Sequence, residues 1–142
     1  MALLNPYISF RDTAREAMEF YRSVFGGELT VATFGEYEMP GIGEDERDKV
    51  MHAQLTTPSG FTLMAADTPA FMERTAGNTI TVSLSGSEQD ELRGYWERLA
   101  DGGTVTLPLD QSPWGDSFGQ LVDRFGIAWM VNIAGTAAPA QG

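Results

Sequence analysis

Apolar and polar residues alternate over residues 5–10, with Pro6, Ile8 and Phe10 on one face and Asn5, Tyr7 and Ser9 on the other. That period predicts a strand buried unequally on its two sides. The period then lengthens, and Ala17, Met18, Tyr21, Val24 and Phe25 form one helical stripe. Thr13 and Glu16 have the spacing of a capping box ahead of that helix, and Gly26-Gly27 can end it. Strands are predicted over 29–35, 50–57 and 61–66, the last two joined by a Pro58-Ser59-Gly60 turn. Residues 36–49 lose periodicity and carry six acidic and two basic residues. They form a long loop, which is either a lid over a binding site or a solvated excursion.

The same pattern then returns. Residues 79–84 alternate, Ser87 is placed to cap a helix over 88–100, and Leu92, Tyr95 and Leu99 stand 74 positions after Met18, Tyr21 and Phe25. Asp101-Gly102-Gly103 ends this helix, a strand follows over 104–109, and two apolar runs, 118–122 and 128–133, make a hairpin about a turn containing Gly126. Self-similarity at this spacing marks an internal duplication. The boundaries are about 5–67 for the first repeat, 68–78 for a linker, 79–134 for the second repeat, and 135–142 for a small, polar tail expected to fray. The expected class is α+β: one domain of two β-α-β-β-β units, with mixed or antiparallel sheets curved around a shared cleft and helices outside. Ile8, Phe10, Ile80, Val82 and Leu84 are expected under the helices. Asn5, Tyr7, Ser9, Thr79, Thr81 and Ser83 are then left on the cleft side.

Composition removes several functions. A chain of 142 residues, 42% hydrophobic, can bury a core without staples. It has no cysteine, hence no thiol nucleophile, thiolate site or disulfide, which is compatible with a reducing cytoplasm. No apolar run is long enough for a membrane helix, and the start lacks a signal-peptide pattern, so a soluble, cytoplasmic protein is expected. The net charge of −11 comes without any basic cluster, which argues against nucleic acid as a partner. The acidity either keeps the surface solvated or draws a cationic ligand.

The run SPWGDSFGQLVDRFGIAWMVN, together with NPYISF, EAMEFYRSVFGGEL and KVMHAQL, resembles the PhnB-like branch of the vicinal-oxygen-chelate superfamily, which contains glyoxalase, extradiol dioxygenases and bleomycin-resistance proteins. The resemblance spans nearly the whole chain and implies the same duplicated fold. It also implies where metal-using members would hold their ion, on the first and last strand of each repeat, at about Asn5, Met64, Thr79 and Met130. An amide, two thioethers and a hydroxyl do not suit a hard or borderline divalent cation. No metal and no cofactor are therefore expected. The resemblance also implies a homodimer, in line with the prevalence of two-fold symmetry.

The one histidine, His52, lies on a predicted strand where Val50, His52, Gln54 and Thr56 share a face. Imidazole and amide two residues apart are about 6.5 to 7 Å from each other, a span suited to gripping one polar ligand. The alternative is a half-buried histidine satisfied by a backbone carbonyl or by Tyr7. Trp114 and Phe118, with Tyr7 and the methionines, either line an apolar wall or belong to the core. Tyr7, His52, Gln54, Trp114 and Phe118 are thus the candidate ligand-binding residues, and no catalytic residue is named. The expected ligand is a small, flat organic molecule, cationic or hydrogen-bonding, held between the His52-Gln54 strand and the Trp114-Phe118 hairpin. The function expected is non-catalytic small-molecule binding. The alternative is a lyase, isomerase or oxygenase whose metal sits at unusual positions, such as His52 with Glu36 or Glu38. A partner-binding domain with a filled cleft is the third reading.

Overall fold

The first strand is shorter than its alternation predicts. Pairing begins at Tyr7, so Asn5 lies outside β1 (Tyr7–Phe10), which buries Phe10 and leaves Tyr7 half exposed. The structure, a computed structural model, describes residues 2–135, and the predicted tail beyond Gly135 lies outside them. After β1 come α1 (Ala14–Phe25), β2 (Glu28–Thr33), a one-turn helix α2 (Phe34–Tyr37), a 3-10 turn at Glu44–Glu46, β3 (Val50–Thr56) and β4 (Thr62–Asp67). The second half continues with β5 (Val82–Gly86), α3 (Gln89–Ala100), β6 (Thr104–Gln111), β7 (Ser117–Val122) and β8 (Ala128–Ile133). Internal contacts divide the chain into two compact units, Met1–Ala76 and Gly77–Gly142, which are described separately below.

In the first unit the sheet order is β1-β4-β3-β2, with β1 parallel to β4 and the other pairs antiparallel. α1 packs across β3, β2 and β4, burying Ala17, Met18, Tyr21, Val24 and Phe25 as its stripe requires. Each such large apolar side chain contributes about 1.5 to 3 kcal/mol on burial. The second unit repeats the topology as β5-β8-β7-β6, with Leu92, Tyr95 and Leu99 of α3 buried on the sheet. Both units are β-α-β-β-β repeats, and the class is α+β.

The duplication extends to the hairpin turns. Thr57 and Asp123 occupy matching places: the backbone N–H of each donates to Phe61 or Ile127 respectively, and its carbonyl accepts from Gly60 or Gly126. Both glycines have φ near +90°, where any side chain would be strained. Each turn residue also accepts at its side chain, Thr57 Oγ1 from the Phe61 amide and Asp123 Oδ1 from the Ile127 amide.

Several expectations are corrected. The capping box is absent: Thr13 precedes α1 without a side-chain cap, and the Ala14 amide donates instead to Asp67 Oδ1 at 2.9 Å. Ser87 does not cap α3 either, since the helix starts one residue later behind Glu88, whose carboxylate accepts the Ser87 amide. Ile80 is not under a helix but 81% exposed, because pairing of β5 with β8 begins only at Val82↔Trp129. Val50 does not share the His52 face. β2 passes from Ala32↔His52 to Thr33↔Val50, so Met51 is an extra residue, a β-bulge that turns Val50 into the core at 1% exposure.

Residues 36–49 are also less open than a structureless loop. Within them Glu46 is 6% exposed, accepts the Ala70 amide at 2.9 Å, and is bridged by Lys49 to Asp12. The predicted linker is pinned as well: Arg11 donates to the carbonyls of Thr68, Pro69 and Met72, and Arg74 to that of Ser9.

Candidate functional site

The helix covers one face of each sheet, so the chemistry open to a ligand stands on the other. In the first unit the register places Tyr7 beside Met64, Met64 beside Gln54 and Gln54 beside Thr30, one row across four strands. His52 lies two residues from Gln54 on the same face of β3. The Tyr7 hydroxyl is 3.4 Å from His52 Nδ1, and the two rings are 5.7 Å apart at their centroids. If the phenol donates, Nδ1 accepts and Nε2 carries the proton; the opposite tautomer reverses both roles. Partial burial pushes the Tyr7 pKa up, so the phenol keeps its proton at neutral pH. Gln54 Nε2 reaches Thr56 Oγ1 at 3.4 Å, a weak contact that leaves the amide able to reorient toward a ligand. Three of the five candidates are thus brought together on one sheet.

Trp114 and Phe118 belong to the second unit. Trp114 stands 55% exposed in the turn before β7, with its ring centroid 6.1 Å from that of Phe118. Phe118 pairs with Asn132, Gln120 with Met130, and Met130 with Ser83, a second row on the sheet face opposite α3. Gln120 is a residue the sequence reading missed. Its signal was the repeat itself, because Gln54 and Met64 recur as Gln120 and Met130 at a constant spacing of 66 positions (54 to 120, 64 to 130).

Asp116 braces this second row. Its carboxylate accepts from Asn132 Nδ2 at 3.0 Å and from the Gly135 amide at 2.9 Å. These bonds, the Asn132 one foremost, hold its pKa below the ordinary value of 3.8. A lowered folded-state pKa stabilises the fold fully above the unfolded value and loses that effect as pH falls through the folded one. The thermal-melting deficit of Asp116→Asn relative to the parent chain is therefore expected at neutral pH and should shrink in strong acid. An equal deficit at both pH values would contradict the ionic origin of the bonds.

The strand register also bears on the four positions that the resemblance implied for a metal ion. The first-strand residues opposite Met64 and Met130 are Tyr7 and Ser83, not Asn5 and Thr79. Neither pair, phenol with thioether in the first unit or hydroxyl with thioether in the second, suits a hard or borderline divalent cation. Among the described residues no group of three or more His, Asp or Glu is placed to hold a metal, so His52 does not join Glu36 and Glu38 in such a group. Glu36 instead accepts from Thr33 Oγ1. Among the same residues no helix is long and apolar enough to cross a membrane.

A repeated β-α-β-β-β unit whose first strand lies parallel to its last defines the glyoxalase/bleomycin-resistance/dioxygenase fold. A domain of that description from Frankia sp. EAN1pec superposes with a TM-score of 0.61 at 19% identity, covering 94% of this chain and 98% of the other. Residues 3–132 match the family described as 3-demethylubiquinone-9 3-methyltransferase, and the chain belongs to that PhnB-like family. Protein PA1353 from Pseudomonas aeruginosa is 35% identical, with a TM-score of 0.82 over 95% of this chain and 99% of that one. A Bacillus cereus structure described as a putative 3-demethylubiquinone-9 3-methyltransferase, PhnB protein, is 24% identical, with a TM-score of 0.73 over 94% and 100%.

Proposed function

We propose that this PhnB-like protein binds a small organic ligand, flat and cationic or hydrogen-bonding, without transforming it. The observation that carries the reading is the row of Tyr7, His52 and Gln54 on the helix-free face of the first sheet, where polar groups stand beside the thioether of Met64. Binding sites combine a few oriented polar groups with apolar and aromatic area in this way. In the second unit Trp114 and Phe118 offer the flat contact surface, and their faces attract cations. Exposed carboxylates at Glu36, Glu38 and Glu44 favour the approach of a cation, whereas the buried Glu46 is already engaged.

A ligand screen read by thermal shift supplies a hit. His52→Ala and Trp114→Ala should then each weaken it by about 1 to 3 kcal/mol, the size of a lost hydrogen bond or aromatic contact. Binding unchanged in both variants would remove the site from these residues. The same reading includes a two-fold homodimer, and light scattering at micromolar concentration should return twice the chain mass. A monomer mass would count against that part alone.

A further inference from the structure

A cavity of about 400 Å³ lies on the α3 side of the second unit, away from the row of Phe118, Gln120 and Met130. Gln89 and Arg93, one turn apart on α3, form one wall; Leu109 and Gln111 of β6 and Ser117 of β7 form the facing one. Its size falls within the range of small-molecule sites. Gln111 pairs with Ser117 and shares its face, whereas Asp110 pairs with Phe118 and turns its carboxylate to the other side of the sheet. Among the described residues that line the cavity, Arg93 alone brings a charged side chain into it. Its guanidinium is held differently from others in the chain. Arg11, Arg15, Arg47, Arg74 and Arg124 donate to main-chain carbonyls, and Arg22 to the Glu19 carboxylate. Arg93 instead rests on two neutral side chains, donating from Nε to Gln89 Oε1 at 3.2 Å and from Nη2 to Ser117 Oγ at a long 3.5 Å. Among the described residues it makes no ion pair, and no bond engages Nη1. The polar side chains around it can donate as well. With Oε1 on Arg93, Gln89 keeps its Nε2 protons; Ser117 keeps its hydroxyl proton; and Gln111 Nε2 has only a 3.5 Å contact with the Gly115 carbonyl.

We infer that this cavity binds a small monocarboxylate, its oxygens on the Nη1 and Nη2 edge of Arg93 and its hydrocarbon tail against Leu109. The planar guanidinium matches a carboxylate in two parallel hydrogen bonds, and Gln89 occupies Nε, so the end-on edge is the one left open. The Gln89 and Gln111 amides and the Ser117 hydroxyl supply neutral donors for the remaining lone pairs. A single cation in a chain of net charge −11 suits a monoanion. A phosphate dianion would carry a second charge into the cavity with no cation to meet it. This site is independent of the ligand reading given for His52 and takes a ligand of opposite charge.

The test is an NMR titration of the full-length, isotope-labelled chain with acetate, propionate and butyrate, using butyramide and inorganic phosphate as controls. At least one carboxylate is expected to give saturable shifts at the amides of Arg93, Gln111 and Ser117, with butyramide at least about tenfold weaker and phosphate weaker too. Arg93→Gln should weaken that carboxylate about tenfold or more. Arg98→Gln, which removes an equal charge from the same helix, should weaken it far less. Both side chains are exposed, so both variants should melt near the parent temperature. His52→Ala should leave the titration unchanged, which separates this site from the other. Absence of saturable shifts with every carboxylate, butyramide or phosphate binding as tightly as the best of them, unchanged affinity in Arg93→Gln, or an equal loss in Arg98→Gln would overturn the assignment.

Discussion

Asp123→Ala will lower folding stability by about 3 to 5 kcal/mol. The reason is the number of donors that one buried carboxylate serves. Asp123 is 3% exposed; Oδ1 accepts the amides of Phe125 and Ile127 at 2.8 and 3.1 Å, and Oδ2 accepts Trp129 Nε1 at 2.9 Å. Trp129 is itself 1% exposed, so its indole N–H has no route to water once the acceptor is gone. Each donor left unsatisfied costs about 1 to 3 kcal/mol. Asp123→Asn, which keeps one oxygen, should lose roughly half as much. Urea unfolding followed by circular dichroism measures both, and a loss below about 1 kcal/mol for the alanine variant would mean that water reaches the turn.

Asp67→Ala will come next, at about 2 to 4 kcal/mol. Asp67 is 5% exposed, and its two oxygens accept the amides of Ala14 and Val50 at 2.9 and 3.0 Å. It ties the start of α1 and the start of β3 to the end of β4. Val50 can donate to it because the Met51 bulge has turned that residue inward. Amide exchange at Ala14 and Val50 should accelerate together in Asp67→Ala, beyond what global destabilisation accounts for. Acceleration at only one of them would show that the carboxylate does not couple the two elements.

These two aspartates show where sequence reasoning reaches and where it stops. The helices were legible because Met18, Tyr21 and Phe25 and their counterparts Leu92, Tyr95 and Leu99 obey a local period. The duplication and the final hairpin were legible for the same reason. Thr13 and Ser87 misled because a cap was sought from neighbours in sequence, whereas the acceptor for Ala14 arrives from β4, far along the chain. Ile80 has the right residue type for a strand, but only the pairing partner decides where a strand begins. The bulge at Met51 escaped alternation altogether, since a single extra residue inverts every inference drawn on its far side. Within the candidate site, His52 and Gln54 were correctly set on one face. The neighbour that completes the row, Tyr7 across Met64, follows from the parallel register of β1 and β4, which no local pattern encodes. Gln120 was within reach, because comparing the repeats position by position would have exposed it.

The parallel pairing of first strand with last carries a consequence for synthesis. Neighbouring hairpins β3–β4 and β7–β8 can form as soon as they are made, but β1 must wait for β4 and β5 for β8. On the ribosome, Tyr7–Phe10 therefore remains an unpaired edge until the whole of the first unit has emerged, and closing that long loop is the slow, entropically costly step. The first unit can complete itself while the second is still being translated. The second then passes through the same exposed interval, its strand Val82–Gly86 unpartnered until Ala128–Ile133 appears.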